Sequence, residues 1–266
     1  MFPVPFLNRG IFVDVNAQIY FDAVAATGTA LTGAQQALIN AFFIGMKADG
    51  LYTKTDGGNI LCLTTAAQCY IDWKVPARVA TVDAAPTFTF TTKQGFAGSG
   101  ASAGVNTDYI QNGYIPWTGG GVWLQDSMHM FAMAHTAAAS SGFEIGCNGT
   151  NDTYIRFRSA DLMICRSNNG ANLPTVANTD GSGFLGITRT ASNDTRYWRE
   201  GAQLGATQTT VSAGLPDVAV RILQPLALTG TTRQLSYAGF GGGLTPAEVA
   251  LYTTRVQTLT TGLRAL

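Results

Sequence analysis

The clearest strand and turn signals of this chain lie in GFLGITRTASNDTRYWREGAQLG, from Gly183 to Gly205. Its β-branched and aromatic residues predict a strand over Phe184–Thr190 and a return strand over Thr195–Arg199. Ala191–Asp194, between them, holds Ser, Asn and Asp side chains that can hydrogen-bond turn backbone, and Glu200–Gly201 begins a second turn. The stretch is therefore predicted to be a β-hairpin.

Other strands must accompany this hairpin, because two strands alone are marginally stable in water. Short apolar segments separated by Gly, Asn, Asp and Ser recur along the chain, a pattern typical of a sandwich rather than of βαβ units. They are residues 87–92, 122–136, 143–146, 153–158, 162–166, 218–228 and 233–240. The sequence thus predicts an all-β fold of two antiparallel sheets and excludes the parallel α/β class.

Two helices have clear start signals. Thr32 with Gln35 forms a capping-box pattern, and apolar residues at helical spacing continue to Asp49–Gly50. Thr245, followed by Pro246 and a glutamate at the third helical position, predicts a second helix near the end of the chain. Its single apolar stripe fits packing on its own sandwich or a place in a subunit interface.

Residues 1–80 are predicted to be an N-terminal arm plus a helix and hairpin docking region, and residues 81–266 to be the sandwich with its C-terminal helix. Residues up to about Tyr20 are rich in β-branched and aromatic side chains, which favours an edge strand or an arm that packs on a neighbour. Leu51–Trp73 alternates apolar pieces with turn residues, most clearly Gly57–Gly58, and resembles a helix-plus-hairpin cap.

Composition narrows the class of protein. Only 12% of residues are charged, with 16 basic and 16 acidic side chains, so long-range attraction to nucleic acid or anionic lipid is absent. Low charge also suits a protein packed into an assembly. No run reaches the roughly 18 apolar residues of a membrane span. The N-terminus lacks the pattern of a signal peptide, so the product is expected to stay in the cytoplasm where it is made.

The cysteines at positions 62, 69, 147 and 165 form no C-x-x-C pair, so neither a metal site nor a cofactor is predicted. They are interpreted as buried thiols. A Cys62–Cys69 or Cys147–Cys165 disulfide requires an extracellular location.

A family resemblance rests on two segments. GSGFLGITRTASNDTRYWREGAQLGATQTT at 181–210 resembles an "SRT…YRNG…LG" hairpin, and GFGGGLTPAEVALYTTRVQTL at 239–259 resembles an "IGGGLT-x-x-E-V" helix. Both are typical of the concanavalin A-like (laminin G-like) jelly-roll domains of tailed-bacteriophage and prophage structural proteins, and residues 30–77 and 85–110 resemble the segment before the jelly roll in such proteins. The resemblance implies a concanavalin A-like sandwich with a helical N-terminal cap, built into a phage particle.

Catalytic patterns are weak. The three glutamates, Glu144, Glu200 and Glu248, fall in a predicted strand, turn and helix cap, and form no paired-carboxylate pattern of a glycosidase. His129 and His135 lie in an apolar strand, where a hydrogen-bonded structural histidine is expected. The sequence therefore predicts that the chain is not an enzyme.

A carbohydrate site is the binding function that the residues favour, because lectin-type sandwiches use loop oxygens beside an aromatic platform. One polar loop spans 148–152, a second spans 168–172, and three tryptophans could stack on a sugar, although each loop could be merely a turn. The candidate site residues are Asn148, Asn151, Asp152, Asn168, Asn169, Trp117 and Trp198. Asn172 is a further member of the second loop, and Trp123 is the third tryptophan.

Together these features predict a phage virion structural protein that acts through contacts with copies of itself and other virion proteins, with glycan binding as an added role. Tail or adsorption apparatus is preferred to a capsid-decoration role, and the alternative class is a glycan-binding or glycan-cleaving protein. The predicted location is the virion after synthesis in the bacterial cytoplasm, with no nucleic-acid partner and no membrane insertion.

Overall fold

Two antiparallel sheets lie face to face in a computed structural model that describes residues 12–137, 140, 142–170 and 173–266. The described residues form a short 3-10 turn at Tyr52–Lys54 and four helices, α1 (Val15–Ala25), α2 (Gly33–Ala48), α3 (Ala66–Cys69) and α4 (Pro246–Ala265). They also form fifteen strands: β1 (Thr55–Ile60), β2 (Thr81–Val82), β3 (Thr89–Thr91), β4 (Gly95–Ala97), β5 (Ile110–Gln111), β6 (Met128–Ala134), β7 (Ile145–Cys147), β8 (Thr153–Ser159), β9 (Leu162–Arg166), β10 (Thr175–Ala177), β11 (Gly183–Ala191), β12 (Asp194–Arg199), β13 (Ala202–Gln208), β14 (Arg221–Ile222) and β15 (Gln234–Gly241).

The strands of each sheet pair in an order that differs from their order in the sequence, and helices pack against the first sheet. Among the described residues, the first sheet has the order β13-β12-β11-β6-β15-β4-β3, and β1 pairs with β15 beside this path. The second has the order β10-β9-β8-β7-β14-β5-β2. Helix α4 packs against β11, β13 and β15 of the first sheet, and α2 packs against α4. The predicted two-sheet antiparallel sandwich with helices at both ends of the sequence is confirmed.

The hairpin at 183–205 forms as predicted. Strand β11 pairs with β12 from Leu185 opposite Arg199 to Ala191 opposite Asp194, with an irregularity after Arg189. The Arg189 guanidinium is buried and donates to the backbone oxygens of Ser167 at 2.9 Å and Thr210 at 3.0 Å. The hairpin therefore lies inside the sheet and also anchors two loops of the second half of the chain.

The two predicted helices are confirmed, each with a complete capping box. Thr32 and Gln35 exchange hydrogen bonds at the start of α2, and Thr245 and Glu248 do so at the start of α4. The apolar stripe of α4 is buried against the rest of the chain, so this helix packs on its own sandwich. Its buried apolar residues are Val249, Tyr252, Val256, Leu259 and Leu263.

The edge strand predicted before Tyr20 is wrong for the part that is described, because α1 occupies it. Asp14 caps this helix and accepts hydrogen bonds from the amides of Asn16 at 2.9 Å and Ala17 at 3.4 Å. Ala17, Tyr20, Phe21 and Val24 then lie at helical spacing and are buried. Tertiary burial of this stripe outweighs the strand propensity of its residues. The rest of the predicted arm, residues 1–11, lies outside the described residues.

The turn predicted at Gly57–Gly58 is also wrong. Both glycines belong to β1, where Gly58 lies opposite Gly239 of β15. A Cβ on Gly58 would clash with the Ala238 carbonyl and lie 2.7 Å from Trp73 Nε1. Glycine is thus required here for close approach, not for a turn. The boundary predicted near residue 80 stays a prediction.

The long strand predicted over 218–228 shortens to β14, since Leu223 takes a left-handed conformation with φ of 73° and ends the pairing. The four cysteines are free and buried, which confirms their interpretation as interior thiols. Burial raises the pKa of all four thiols. In the described part of the chain, each helix is too short or too polar to span a membrane.

Candidate functional site

Three loops meet at one end of the second sheet because of its antiparallel order. In the pairing register, Arg221 lies opposite both Gln111 of β5 and Gly146 of β7. The chain therefore leaves β5 and β7, and enters β14, at the same end of the sheet. The connections that meet there are residues 112–118, 148–152 and 211–220.

Backbone and side-chain hydrogen bonds fix these loops to one another. The Trp117 amide donates to the Pro216 carbonyl at 3.0 Å. Thr150 donates to the Asp217 carboxylate twice, from its amide at 2.9 Å and from its hydroxyl at 2.6 Å. A Cβ on Gly149 would collide with Asp217, so this close approach requires glycine.

A pocket of about 300 Å³ opens where the three loops meet, and it is lined by Trp117, Thr150, Asn151, Leu215 and Asp217. Trp117 is 64% exposed, and Thr150 and Asp217 are exposed too. Hydrogen bonds from the Thr150 hydroxyl and amide hold the pKa of Asp217 below its usual range. The pocket thus combines an indole face and a leucine with an amide, a hydroxyl and an ionised carboxylate, a set that binds amphipathic rings.

Of the predicted site residues, Trp117 and Asn151 line this pocket. Asn148 begins the same loop, and its amide donates to the Leu226 carbonyl at 2.7 Å. Asp152 is buried; it accepts the Gly149 amide at 2.9 Å and forms an ion pair with Arg166. The adjacent turn is therefore held from below by Asp152.

Asn168 and Asn169 are buried and hold loops together. The Asn168 side-chain oxygen accepts hydrogen bonds from Trp123 Nε1 at 3.1 Å and from the Thr153 hydroxyl at 2.9 Å, while its amide donates to the Gln125 carbonyl at 2.7 Å. The Asn169 amide donates to the Val211 carbonyl. Asn172 lies outside the described residues.

The three tryptophans predicted as stacking faces differ in solvent exposure. Trp198 is only 2% exposed, lies in β12 of the first sheet, and donates from its indole to the Thr188 hydroxyl at 2.8 Å. Trp123 is 1% exposed. Trp117 is thus the tryptophan of these three that presents a ring to solvent.

Sequence reasoning missed Thr150, Leu215 and Asp217. The polar loop predicted over 148–152 does contribute Asn151 to the pocket, but Asp217 lies 67 residues from Thr150 in the sequence. No local pattern predicts that contact, because it depends on the pairing of β7 with β14.

The glutamates and histidines occupy separate structural positions. Glu144 is fully buried in an ion pair with Arg233, and Glu200 accepts the Phe184 amide at 2.5 Å. His129 Nδ1 lies 2.5 Å from the Gly242 carbonyl, and His135 Nε2 lies 2.6 Å from the Ser236 hydroxyl, so both are hydrogen-bonded as expected. Among the described residues, no cluster of three His, Cys, Asp or Glu side chains could hold a metal ion.

No model of a known protein family and no curated protein sequence matches the chain. Solved structures do resemble it. A Trypanosoma rangeli sialidase in complex with 2,3-difluoro-KDN has a TM-score of 0.51 at 12% identity, over 84% of this chain and 40% of the sialidase. The same organism's sialidase in complex with sialic acid has a TM-score of 0.50 at 12% identity, over 84% of this chain and 39% of the sialidase.

The ligand-binding domain of botulinum neurotoxin serotype D, in complex with N-acetylneuraminic acid, has a TM-score of 0.52 at 9% identity, over 79% of this chain and 52% of that one. The chain thus spans about two fifths of the sialidases and about half of the neurotoxin chain. At these identities the likeness shows the fold: a β-sandwich of the kind found in sialidase and lectin-like proteins.

The prediction that the chain is not an enzyme is corrected by these comparisons. The solved structures that share its fold include sialidases, which are enzymes. The missing paired-carboxylate pattern was a criterion for one class of glycosidase, and it was too narrow a basis for excluding enzymes as a whole.

Proposed function

We propose that this protein binds carbohydrate in the pocket lined by Trp117, Thr150, Asn151, Leu215 and Asp217. The observation that carries the proposal is the exposed Trp117 ring beside hydrogen-bonding groups that are already fixed in place. A sugar ring has an apolar C–H face and a rim of hydroxyls, which match an indole face and a rim of polar side chains. The loops need little ordering on binding, because Thr150 donates to Asp217 and the Trp117 amide donates to the Pro216 carbonyl.

The fold comparisons support this proposal in general terms. Among the resembling structures, a sialidase is bound to sialic acid and the neurotoxin domain to N-acetylneuraminic acid. The matched part is 39% of that sialidase and 52% of the neurotoxin chain, so the site residues proposed for this chain rest on its own pocket.

The test is glycan binding by the full chain and by Trp117→Ala. Truncation of an aromatic side chain at the centre of a binding site typically costs about 2 kcal/mol or more, so affinity is expected to fall about 30-fold. The control is Leu251→Ala, which removes another exposed apolar side chain, on α4 beside the first sheet. Calorimetric titration against glycans selected on an array measures both. Equal affinity of Trp117→Ala and the unmodified chain would refute this pocket as the site.

A second candidate function is assembly into a phage particle, in the tail or adsorption apparatus or, failing that, as a capsid decoration. It rests on the resemblance carried by residues 181–210 and 239–259, and one feature of the structure favours it. Val15 and Ile19 are 65% and 50% exposed and lie four residues apart on α1, and Phe12, just before the helix, is 78% exposed. An apolar helix face of this kind suits a contact with another subunit.

Purified particles test this second function. If the chain is a structural component, mass spectrometry should find it in a fixed ratio to the other particle proteins, and labelled particles imaged by electron microscopy should show it at the tail or the capsid. A chain found only outside particles would exclude the virion role and leave the glycan-binding proposal unaffected.

A further inference from the structure

We infer that the pocket selects an uncharged sugar over a carboxylated one such as sialic acid, with Asp217 as the specificity-determining residue. This inference rests on the proposed carbohydrate-binding function. Its basis is the charge of the lining: among the described residues that line the pocket, Asp217 is the ionisable one, and it carries a negative charge.

The carboxylate of Asp217 is held in the pocket and stays ionised. The hydroxyl and amide of Thr150 each donate to one of its oxygens, at 2.6 and 2.9 Å, and this pair of donors lowers its pKa. An ionised carboxylate only accepts hydrogen bonds, and each oxygen retains a free lone pair. Sugar hydroxyls, which donate, satisfy that capacity, whereas a sugar carboxylate cannot.

Electrostatic repulsion by Asp217 also favours an uncharged sugar over a carboxylated one. Two unit negative charges about 4 Å apart weaken binding about fivefold in water, and by more where the ligand displaces solvent. A counter-charge from the protein would be needed to offset this. Arg166, which the Asp152 ion pair places beside the 148–152 loop, is committed to that carboxylate and to the face of Tyr154.

The remaining lining fits a neutral pyranose. Trp117 and Leu215 offer apolar surface to one face of the ring, and Asn151 offers an amide with both donor and acceptor groups. A Cβ on Gly214 would lie 2.5 Å from Asn151 Nδ2, so the neighbouring loop is packed against this amide and fixes its position. The Asn151 amide and the Asp217 carboxylate together can form hydrogen bonds with adjacent hydroxyls of one sugar.

The experiment compares glycan pairs that share a core and differ by a terminal sialic acid, such as lactose and sialyllactose, on an array and by calorimetric titration with the full chain. Neutral members are expected to bind at least about fivefold more tightly than their sialylated partners. In Asp217→Asn the preference should shrink toward parity, because the repulsion is gone while an amide remains. Asp161→Asn, an exposed aspartate in the β8–β9 turn, is the matched control and should keep the preference.

The outcomes separate the two proposals. If sialylated glycans bind more tightly and Trp117→Ala abolishes that binding, the pocket binds sugar but the inferred selectivity is wrong. If the preference for neutral glycans is the same in Asp217→Asn as in the unmodified chain, Asp217 does not set it. If no member of either set binds, the proposed function itself fails. Thermal denaturation of each variant distinguishes lost recognition from lost folding.

Discussion

Glu144→Gln is expected to destabilise the protein strongly, because Glu144 and Arg233 form an ion pair whose side chains are both fully buried. The Glu144 carboxylate also accepts the Phe157 amide of β8 at 2.7 Å and the Thr231 hydroxyl at 2.9 Å. Arg233 lies just before β15 and donates to the Arg158 carbonyl at 2.9 Å. The pair therefore joins the two sheets through charged hydrogen bonds.

The magnitude follows from the loss of one partner. Burial raises the pKa of Glu144, and the charge of Arg233 opposes that shift. The glutamine keeps the shape of the side chain but leaves the guanidinium without its counter-charge, which typically costs about 3–5 kcal/mol. Since domains of this kind are stable by about 5–15 kcal/mol, the loss is a large fraction of the total.

Urea denaturation followed by tryptophan fluorescence measures the effect. With a slope of about 3 kcal/mol/M, the midpoint should fall by about 1–2 M. Glu248→Gln is the control, since Gln can also close the capping box of α4, and it should cost about 1 kcal/mol or less. The double variant Glu144→Met with Arg233→Met removes both charges and should recover much of the loss.

A midpoint for Glu144→Gln within the range of the Glu248→Gln control would refute this reasoning. The result also bears on function. If the chain cleaves glycans, a loss of turnover in Glu144→Gln identifies a catalytic role only when the variant remains folded under the assay conditions.

Three further predictions concern stability and reactivity. Gly58→Ala should destabilise the protein by about 1–3 kcal/mol, because its Cβ would clash with the Ala238 carbonyl and crowd the Trp73 indole. The control is Gly33→Ala, where a Cβ meets open space, and it should be neutral or stabilising. Midpoints of urea denaturation compare the two variants. Burial lowers the pKa of His129 to about 4, below the usual value of about 6.5. Because the unfolded chain therefore binds the proton more readily, the free energy of unfolding should fall by about 3 kcal/mol from pH 6.5 toward pH 4. His129→Asn should flatten that dependence in urea titrations across the range. The four buried thiols should resist a thiol reagent such as Ellman's reagent in the native protein and all react in urea; rapid native reaction would contradict their burial.

Elements whose signals are local could be predicted from the sequence. The hairpin of β11 and β12 is specified by its turn residues, and α2 and α4 begin where Thr32 and Thr245 can close a capping box with a residue three positions on. Helix α1 had the same kind of signal in Asp14 and the buried stripe behind it. Strand propensity obscured it, which shows that helical spacing was the better guide there.

The site depended on contacts that no local pattern encodes. Trp117 and Trp198 were both predicted to stack on a sugar, yet one is 64% exposed and the other 2%. The difference arises because Trp198 lies within β12 of the first sheet with its side chain buried, while Trp117 lies in the connection that follows β5 of the second sheet. Likewise, Asp217 reaches Thr150 only because β14 pairs with β7.

The elements with local signals could thus be predicted from the amino-acid sequence: the β11–β12 hairpin, the starts of α2 and α4, and a fold of two antiparallel sheets. These features follow from turn chemistry, capping and hydrophobic periodicity within a few residues. Which polar residues are buried between loops and which line the pocket could be seen only from the folded chain. That choice is made by strand order and register, which join residues tens of positions apart and are set by the packing of the whole sandwich.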